Sequence, residues 1–142
     1  MIVPDLNLLI YAYDYRAPQH PQARQWWAEL MNGDEPVGIP WVVLTGFIRL
    51  SIRPGTLAMP LTGAEAVDEI QQWLARPHVS AISPTSRHPE LLAGLLQAAA
   101  YGPNTVTDAH IGALAIEHDA VVHSNDRIFT RFPGIQLHNP VT

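Results

Sequence analysis

Residues 107–126 read TDAHIGALAIEHDAVVHSND, and this stretch decides the fold class. Its first half, 107–118, is rich in alanine and leucine and predicts a helix, with Thr105 or Thr107 as its N-cap. An apolar run at 120–124 follows and predicts a short strand, after which the chain reaches Asp126. A helix that leads directly into a short apolar strand is typical of α/β folds with a parallel sheet.

The same alternation extends outward through the rest of the chain. Short apolar stretches predict further strands at 2–3, 37–39, 79–82 and 135–137. Helical patterns cover 6–14, 21–31, 41–53, 62–75 and 89–101. We therefore predict an α/β fold with a short, mostly parallel sheet and helices on both faces. The length of 142 residues fits a single domain spanning 1–142.

The composition excludes several classes of chemistry. Hydrophobic residues make up 47% of the chain and charged residues 15%, which favours a folded core over disorder. All eight basic residues are arginine, so a P-loop lysine and Schiff-base chemistry are excluded. The absence of cysteine removes thiolate nucleophiles and cysteine-ligated metals. No signal peptide or long apolar run is visible, so we expect a cytoplasmic protein with no membrane association.

Three acids stand apart from those that lie on polar helix faces. Asp5 follows the first predicted strand, Asp126 follows the strand at 120–124, and Asp108 opens the helix before that strand. In a parallel α/β fold these positions meet at one edge of the sheet. Three carboxylates there would repel one another and raise each other's pKa unless a cation neutralises them. Oxygen ligands favour a hard ion such as Mg²⁺ or Mn²⁺. Taken singly, Asp108 also reads as a helix-dipole residue and Asp126 as a turn residue.

Other titratable residues fit this site poorly. Glu117 lies nine residues after Asp108, about half a turn away around the helix, and His110 also points away from Asp108. The seven histidines contain no HxxxH or HxH spacing, so the sequence does not favour a histidine metal site.

Three motifs resemble those of a known family. Residues 2–9 read IVPDLNLL, residues 104–115 read NTVTDAHIGALA, and residues 123–134 read HSNDRIFTRFPG. In this order they resemble the motifs of PIN-domain proteins, and more narrowly of VapC-type toxins from bacterial toxin–antitoxin pairs. The resemblance extends over nearly the whole chain.

The resemblance implies a PIN-like fold and a metal-dependent endoribonuclease. By it, Asp5 and Asp108 would hold a Mg²⁺ or Mn²⁺ ion, and Asp126 would complete the catalytic acidic cluster. It also implies an RNA substrate, a cognate antitoxin that covers the cleft, and a homodimer.

The sequence departs from the family pattern at two positions. A glutamate common in the helix after the second strand falls on Gly46, and an additional acid falls on Ile128. These departures keep open a second hypothesis, a degenerate PIN domain that binds RNA or a protein without cleavage. A phosphatase that uses Asp5 within a D-x-D-like motif is a weaker alternative, because such enzymes rely on a lysine.

Arginine and tryptophan side chains are candidates for contacts with a substrate or partner. Arg49 and Arg53 are four residues apart on one predicted helix, and Arg127 is similarly related to Arg131. Each pair either binds phosphates or consists of ordinary surface residues. If they bind phosphates, Arg49 and Arg127 are the first candidates. Of the adjacent residues Trp26 and Trp27, we expect at least one to pack in the core, which leaves the other to line a partner groove.

Overall fold

A five-stranded parallel sheet organises the molecule. The computed structural model describes residues 1–99 and 102–142. The strands, in chain order, are β1 (Ile2–Pro4), β2 (Val37–Pro40), β3 (Val79–Ile82), β4 (Val121–His123) and β5 (Gln136–His138). They lie in the order β3-β2-β1-β4-β5, and all four pairings are parallel. The predicted fold class is therefore confirmed.

Within the described ranges, six α-helices lie between the strands of this sheet. They are α1 (Leu6–Tyr13), α2 (His20–Asn32), α3 (Trp41–Ile52), α4 (Gly63–Leu74), α5 (His88–Ala98) and α6 (Val106–Glu117). Two short 3-10 helices span Pro103–Thr105 and Arg127–Arg131. The predicted bounds agree to within one residue except at the end of α5. That helix was predicted to extend to 101, but it ends at Ala98, because Ala99 adopts an extended conformation; residues 100 and 101 lie outside the described part of the chain. None of the described helices is long and apolar enough to cross a membrane.

One helix cap differs from the prediction. Thr105 occupies the N-cap position of α6, but its side chain makes no cap hydrogen bond to that helix. Its hydroxyl instead accepts from the Gly102 amide at 3.0 Å and donates to the Gly102 carbonyl at 2.9 Å. Thr105 thus closes the short 3-10 turn that precedes α6.

The strand order creates a crevice between β1 and β4. From β1 the chain winds through β2 to β3 in one direction, and it then returns to β4 on the other side of β1. Right-handed crossovers therefore put α1–α4 on one face of the sheet and α5–α6 on the other. The winding direction reverses between β1 and β4, so the connections that follow these two strands leave toward opposite faces of the sheet. Ligands of such sheets bind in the crevice that this leaves outside the carboxyl ends of the two strands.

Both adjacent tryptophans pack in the core, which confirms the expectation that at least one of them does and leaves neither exposed. Trp26 and Trp27 are 7% and 6% exposed. The Trp26 indole donates to Nδ1 of His123 in β4 at 2.9 Å, while the Trp27 ring packs edge-on against Trp73 of α4 at 5.2 Å. The two indoles of α2 thus contact different neighbours, Trp26 a strand of the sheet and Trp27 helix α4.

Candidate active site

Asp5 lies at the carboxyl end of β1 and begins α1. Its amide donates to the carbonyl of His123 in β4 at 2.9 Å, so the backbone fixes its position against the neighbouring strand. One carboxylate oxygen caps α1 by accepting from the Leu6 amide at 2.8 Å. The side chain is 7% exposed, and burial raises its pKa despite the hydrogen bonds that it accepts. Asp5 is therefore a rigidly held carboxylate whose charge is poorly solvated.

Ser124 links the first acid to the third. Its fully buried hydroxyl donates to the second carboxylate oxygen of Asp5 at 2.6 Å and accepts from the amide of Asp126 at 2.9 Å. Asp126 in turn accepts from the Ile128 amide at 2.9 Å and caps the 3-10 helix Arg127–Arg131. The role of Ser124 was missed from the sequence, although its position directly after β4 and two residues before an acid was a usable signal.

Asp108 completes the cluster from the opposite face of the sheet. It lies in the first turn of α6, where the N-terminal end of the helix dipole favours negative charge. Burial, and after it the negative charges of Asp5 and Asp126, together raise the pKa of this half-buried carboxyl to about 6. The three predicted acids therefore act on one another electrostatically, as the sheet-edge argument requires.

The donor set fits a hard divalent ion. Within the described residues, neither salt bridge involves Asp5, Asp108 or Asp126, so no basic side chain neutralises them. The side-chain oxygen of Asn7, in the first turn of α1, is buried and has no hydrogen-bond partner among the described residues. Carboxylate and amide oxygens are the ligands that Mg²⁺ and Mn²⁺ take in proteins. Among the described residues, however, no three His, Asp or Glu side chains are already arranged around one ion position. Ion binding therefore requires side-chain adjustment.

The two candidate arginine pairs have different surroundings. Arg127 and Arg131 lie on one short 3-10 helix and line a surface pocket together with Asp126. Arg49 is exposed on α3, but Arg53 lies beyond the last residue of that helix. The prediction that Arg49 and Arg53 share a helix is therefore wrong, because α3 ends at Ile52 ahead of Pro54.

Gly46 lies where α3 meets α1. A Cβ atom at this position would be 2.7 Å from Cδ2 of Leu6, the residue that follows Asp5. The glycine therefore permits a close contact between the two helices beside the acidic cluster, and no side chain from this point of α3 reaches the cluster. At the other departure, Ile128 packs its partly buried side chain against the core.

A second polar cluster lies between α5 and α6. Nδ1 of His88 is 2.9 Å from the Glu117 carboxylate, and Nε2 of His88 is 2.8 Å from Nδ1 of His110. The other Glu117 oxygen accepts from the amide and hydroxyl of Thr85 at 3.1 and 2.7 Å. The sequence correctly separated Glu117 and His110 from the acidic edge. Their pairing with His88 was missed, because it depends on how α5 packs on α6.

Comparison with known proteins identifies the family to which this fold and acidic edge belong. Residues 2–135 match the family model of the PIN domain. Ribonuclease VapC33 of Mycobacterium tuberculosis is 36% identical over 141 residues, which are 99% of each chain. The chain belongs to the PIN-domain family, and within it to the VapC type that its motifs predicted.

Solved structures agree on the fold. VapBC-1 from nontypeable Haemophilus influenzae matches with a TM-score of 0.71 and 15% identity over all of both chains. VapC20 of M. tuberculosis, described as a sarcin–ricin loop cleaving toxin, matches with a TM-score of 0.66 and 17% identity, over 96% of this chain and 99% of its own. At these identities the likeness concerns the fold alone.

Proposed function

We propose that this protein is a metal-dependent endoribonuclease that acts as the toxin of a toxin–antitoxin pair. The observation that carries the proposal is the electrostatic coupling of three carboxylates that have no basic partner among the described residues. Asp108, with a pKa of about 6, is the clearest sign that the cluster is incomplete without a cation. The full-length similarity to a ribonuclease of the same type supports this interpretation.

The acidic residues have separate roles in this proposal. Asp5 and Asp108 hold the ion, and Asp126 completes the cluster at its exposed end. A bound Mg²⁺ or Mn²⁺ ion supplies positive charge for phosphate oxygens and lowers the pKa of a water molecule. Ser124 keeps the Asp5 carboxylate in place through its 2.6 Å hydrogen bond, so Ser124 is a positioning residue.

The arginines are proposed to bind the RNA backbone. Arg127 and Arg131 line a pocket with Asp126, so a phosphate bound there would lie beside the acidic cluster. Arg49 is exposed on α3, the helix that contacts α1 through Gly46. Both contacts are with phosphate groups and therefore carry no base specificity.

We further propose a cognate antitoxin, a homodimer, a single domain over residues 1–142 and a cytoplasmic location. The similar Haemophilus structure is a VapBC assembly, which supports an antitoxin partner for this chain. Co-expression with the product of an adjacent small gene would test this: the proposal requires a stable complex in which RNA cleavage is suppressed.

Cleavage of a mixed RNA pool tests the main proposal. The purified protein, freed of bound partners, is incubated with total RNA in Mg²⁺, Mn²⁺ or EDTA. Asp5→Asn is the matched control, because asparagine retains the oxygen that caps α1 but loses the charge. We expect discrete cuts that require the metal and that decrease more than about 100-fold in the variant, since loss of even an outer-sphere partner costs 10–100-fold. Cuts that persist in EDTA or in Asp5→Asn would contradict the proposal.

A binding function without cleavage is the second candidate. It is favoured by Gly46, which leaves Leu6 in the space next to the cluster where the family commonly has a carboxylate. Intact RNA under every metal condition, together with metal-dependent RNA retention on the immobilised protein, would favour it over the nuclease.

A further inference from the structure

Trp41 is the one exposed indole among the four tryptophans, all of which lie in the described part of the chain. Its side chain is 53% exposed, whereas Trp26, Trp27 and Trp73 are 7%, 6% and 2% exposed. A single exposed aromatic residue needs no explanation by itself. The position of Trp41 in the fold gives this one its significance.

Trp41 stands beside the acidic cluster at the same edge of the sheet. It is the first residue of α3, directly after β2, the strand that pairs with β1 on the side away from β4. The pairing of Ile2 with Val37 sets the register of β1 and β2, so the chain leaves both strands at the same edge of the sheet, at Asp5 and at Trp41. Asp5 and Trp41 therefore follow the ends of two neighbouring strands at the same edge of the sheet.

Trp41 begins an exposed row of side chains on α3. Trp41, Thr45 and Arg49 follow one another at four-residue intervals, lie within an arc of about 80°, and are all exposed. We call these three residues the α3 ridge. The Thr45 hydroxyl donates to the Trp41 carbonyl at 2.9 Å, and this hydrogen bond stabilises the first turn of the ridge. The opposite face of α3 is fixed in the core by residues that are at most 1% exposed: Val43, Leu44 and Phe47.

The α3 ridge combines the two groups that single-stranded RNA contacts most readily. An exposed indole offers a flat surface for an unpaired base, and a guanidinium binds phosphate. Arg49 lies about 12 Å along the helix axis from Trp41, and none of the salt bridges among the described residues involves it. The ridge leads away from the carboxylates, so RNA bound along it would enter the proposed site from the β2 side.

We propose that Trp41 stacks on an unpaired base of the RNA next to the cleaved phosphate, while Arg49 binds a phosphate further along the strand. The inference rests on the proposed ribonuclease function and adds a base contact to it. Because stacking strength grows with ring area, the contact favours purines over pyrimidines at that position. A second copy of this chain is the competing occupant, since Ile52, 41% exposed, extends the same face of α3.

Binding of single-stranded oligoribonucleotides tests the proposal. Full-length protein carrying Asp5→Asn, which keeps the RNA intact, is titrated with oligoadenylate and oligouridylate in Mg²⁺ while fluorescence anisotropy and tryptophan emission are recorded. We expect binding to quench the emission, because the accessible indole is the one that stacks. Adding Trp41→Ala should weaken oligoadenylate binding about 5- to 150-fold and remove the preference over oligouridylate. Trp41→Phe should retain most of the affinity.

Three further variants and measurements separate the explanations. Met59→Ala, which alters another exposed apolar side chain, 77% exposed and not part of the α3 ridge, should leave binding unchanged. Arg49→Ala should lower affinity for both oligonucleotides alike and reduce the salt dependence, which Trp41→Ala should not do. Molar mass by light scattering is measured for each protein, because an interface role would change it.

The outcomes distinguish this proposal from the ribonuclease proposal. Equal affinity with and without Trp41 overturns the stacking contact, as does a loss of oligomer mass in Trp41→Ala with RNA affinity unchanged. Absence of oligonucleotide binding to the Asp5→Asn parent also overturns it. If the parent binds through Trp41 but the wild-type protein never cuts RNA, the stacking contact stands and the nuclease function fails.

Discussion

Helix α6 carries two polar clusters on roughly opposite faces, and they differ in how their charges are balanced. Toward the sheet edge, Asp108 meets the like charges of Asp5 and Asp126, and burial together with this repulsion raises its pKa to about 6. Toward α5, Glu117 accepts three hydrogen bonds from Thr85 and His88. Burial favours protonation of Glu117, but those bonds lower its pKa overall.

The difference shows which cluster is complete. A buried carboxylate that has found its donors stabilises the native packing and needs nothing more. Carboxylates that repel one another and have no basic partner destabilise the folded state until a cation binds. Functional sites often deviate from the rules of stable packing in this way. The two faces of α6 therefore separate a structural cluster from a candidate catalytic one without reference to any relative.

The largest expected stability effect lies on the completed face. Glu117→Ala removes a side chain with no exposed surface and leaves its donors without partners, so we expect the free energy of unfolding to decrease by about 3 kcal/mol. RNA cleavage at a temperature where the variant is folded should remain at the wild-type level. Urea denaturation and the RNA assay measure the two quantities.

Glu90→Ala is the matched control for Glu117→Ala. Glu90 is an exposed acid in the first turn of α5, and its loss should change stability by no more than about 0.5 kcal/mol. If Glu117→Ala were as stable as this control, or if the folded Glu117→Ala protein no longer cleaved RNA, the assignment of a structural role to the Glu117 cluster would be wrong.

The sequence predicted the elements of the fold because its signals were local. Prolines and glycines mark the ends of most strands and helices, and the apolar runs between them are short enough to be assigned without tertiary information. The three acids could be predicted for the same reason. Asp5 and Asp126 follow strands, and parallel topology alone brings such positions to one edge.

Features that depend on packing between elements could not be predicted. The His88–His110 contact requires the relative placement of α5 and α6, and sequence spacing contains no trace of it. The burial of both Trp26 and Trp27 requires knowing which elements contact each indole. The position of Ser124 directly after β4 could have indicated a role for it, but its hydrogen bond to Asp5 joins residues 119 positions apart in the sequence.

A smaller effect is expected on the unbalanced face, and it depends on pH. Folding raises the pKa of Asp108 from 3.8 to about 6, so between these values the folded protein binds more protons than the unfolded chain. Stability therefore falls as pH rises through this window. Asp108→Asn should be more stable than wild type by on the order of 1 kcal/mol at pH 7.5 in EDTA, after allowance for solvent screening of a half-buried group.

The advantage of Asp108→Asn should disappear at pH 4 and shrink when Mg²⁺ is added. At pH 4 the wild-type carboxyl is largely protonated, and at pH 7.5 a bound ion stabilises the wild-type protein more than the variant. Urea unfolding of both proteins at the two pH values, with and without Mg²⁺, measures this. Titrations common to both proteins largely cancel in the difference, so an advantage that is independent of pH would argue against repulsion at Asp108.

The smallest expected effect concerns the packing of Gly46 against Leu6, which lies next to Asp5 at the acidic edge. Gly46→Ala should gain about 1 kcal/mol of helix propensity, but its Cβ must displace Leu6, so we expect a net change below about 1 kcal/mol. In a Leu6→Ala background the obstacle is absent and the gain should be realised in full. A double-mutant cycle by urea denaturation should therefore give a coupling of about 0.5–1 kcal/mol that favours the double variant. Strict additivity would mean that Leu6 moves aside at no cost, and that this close contact does not hold α1 and Asp5 in position.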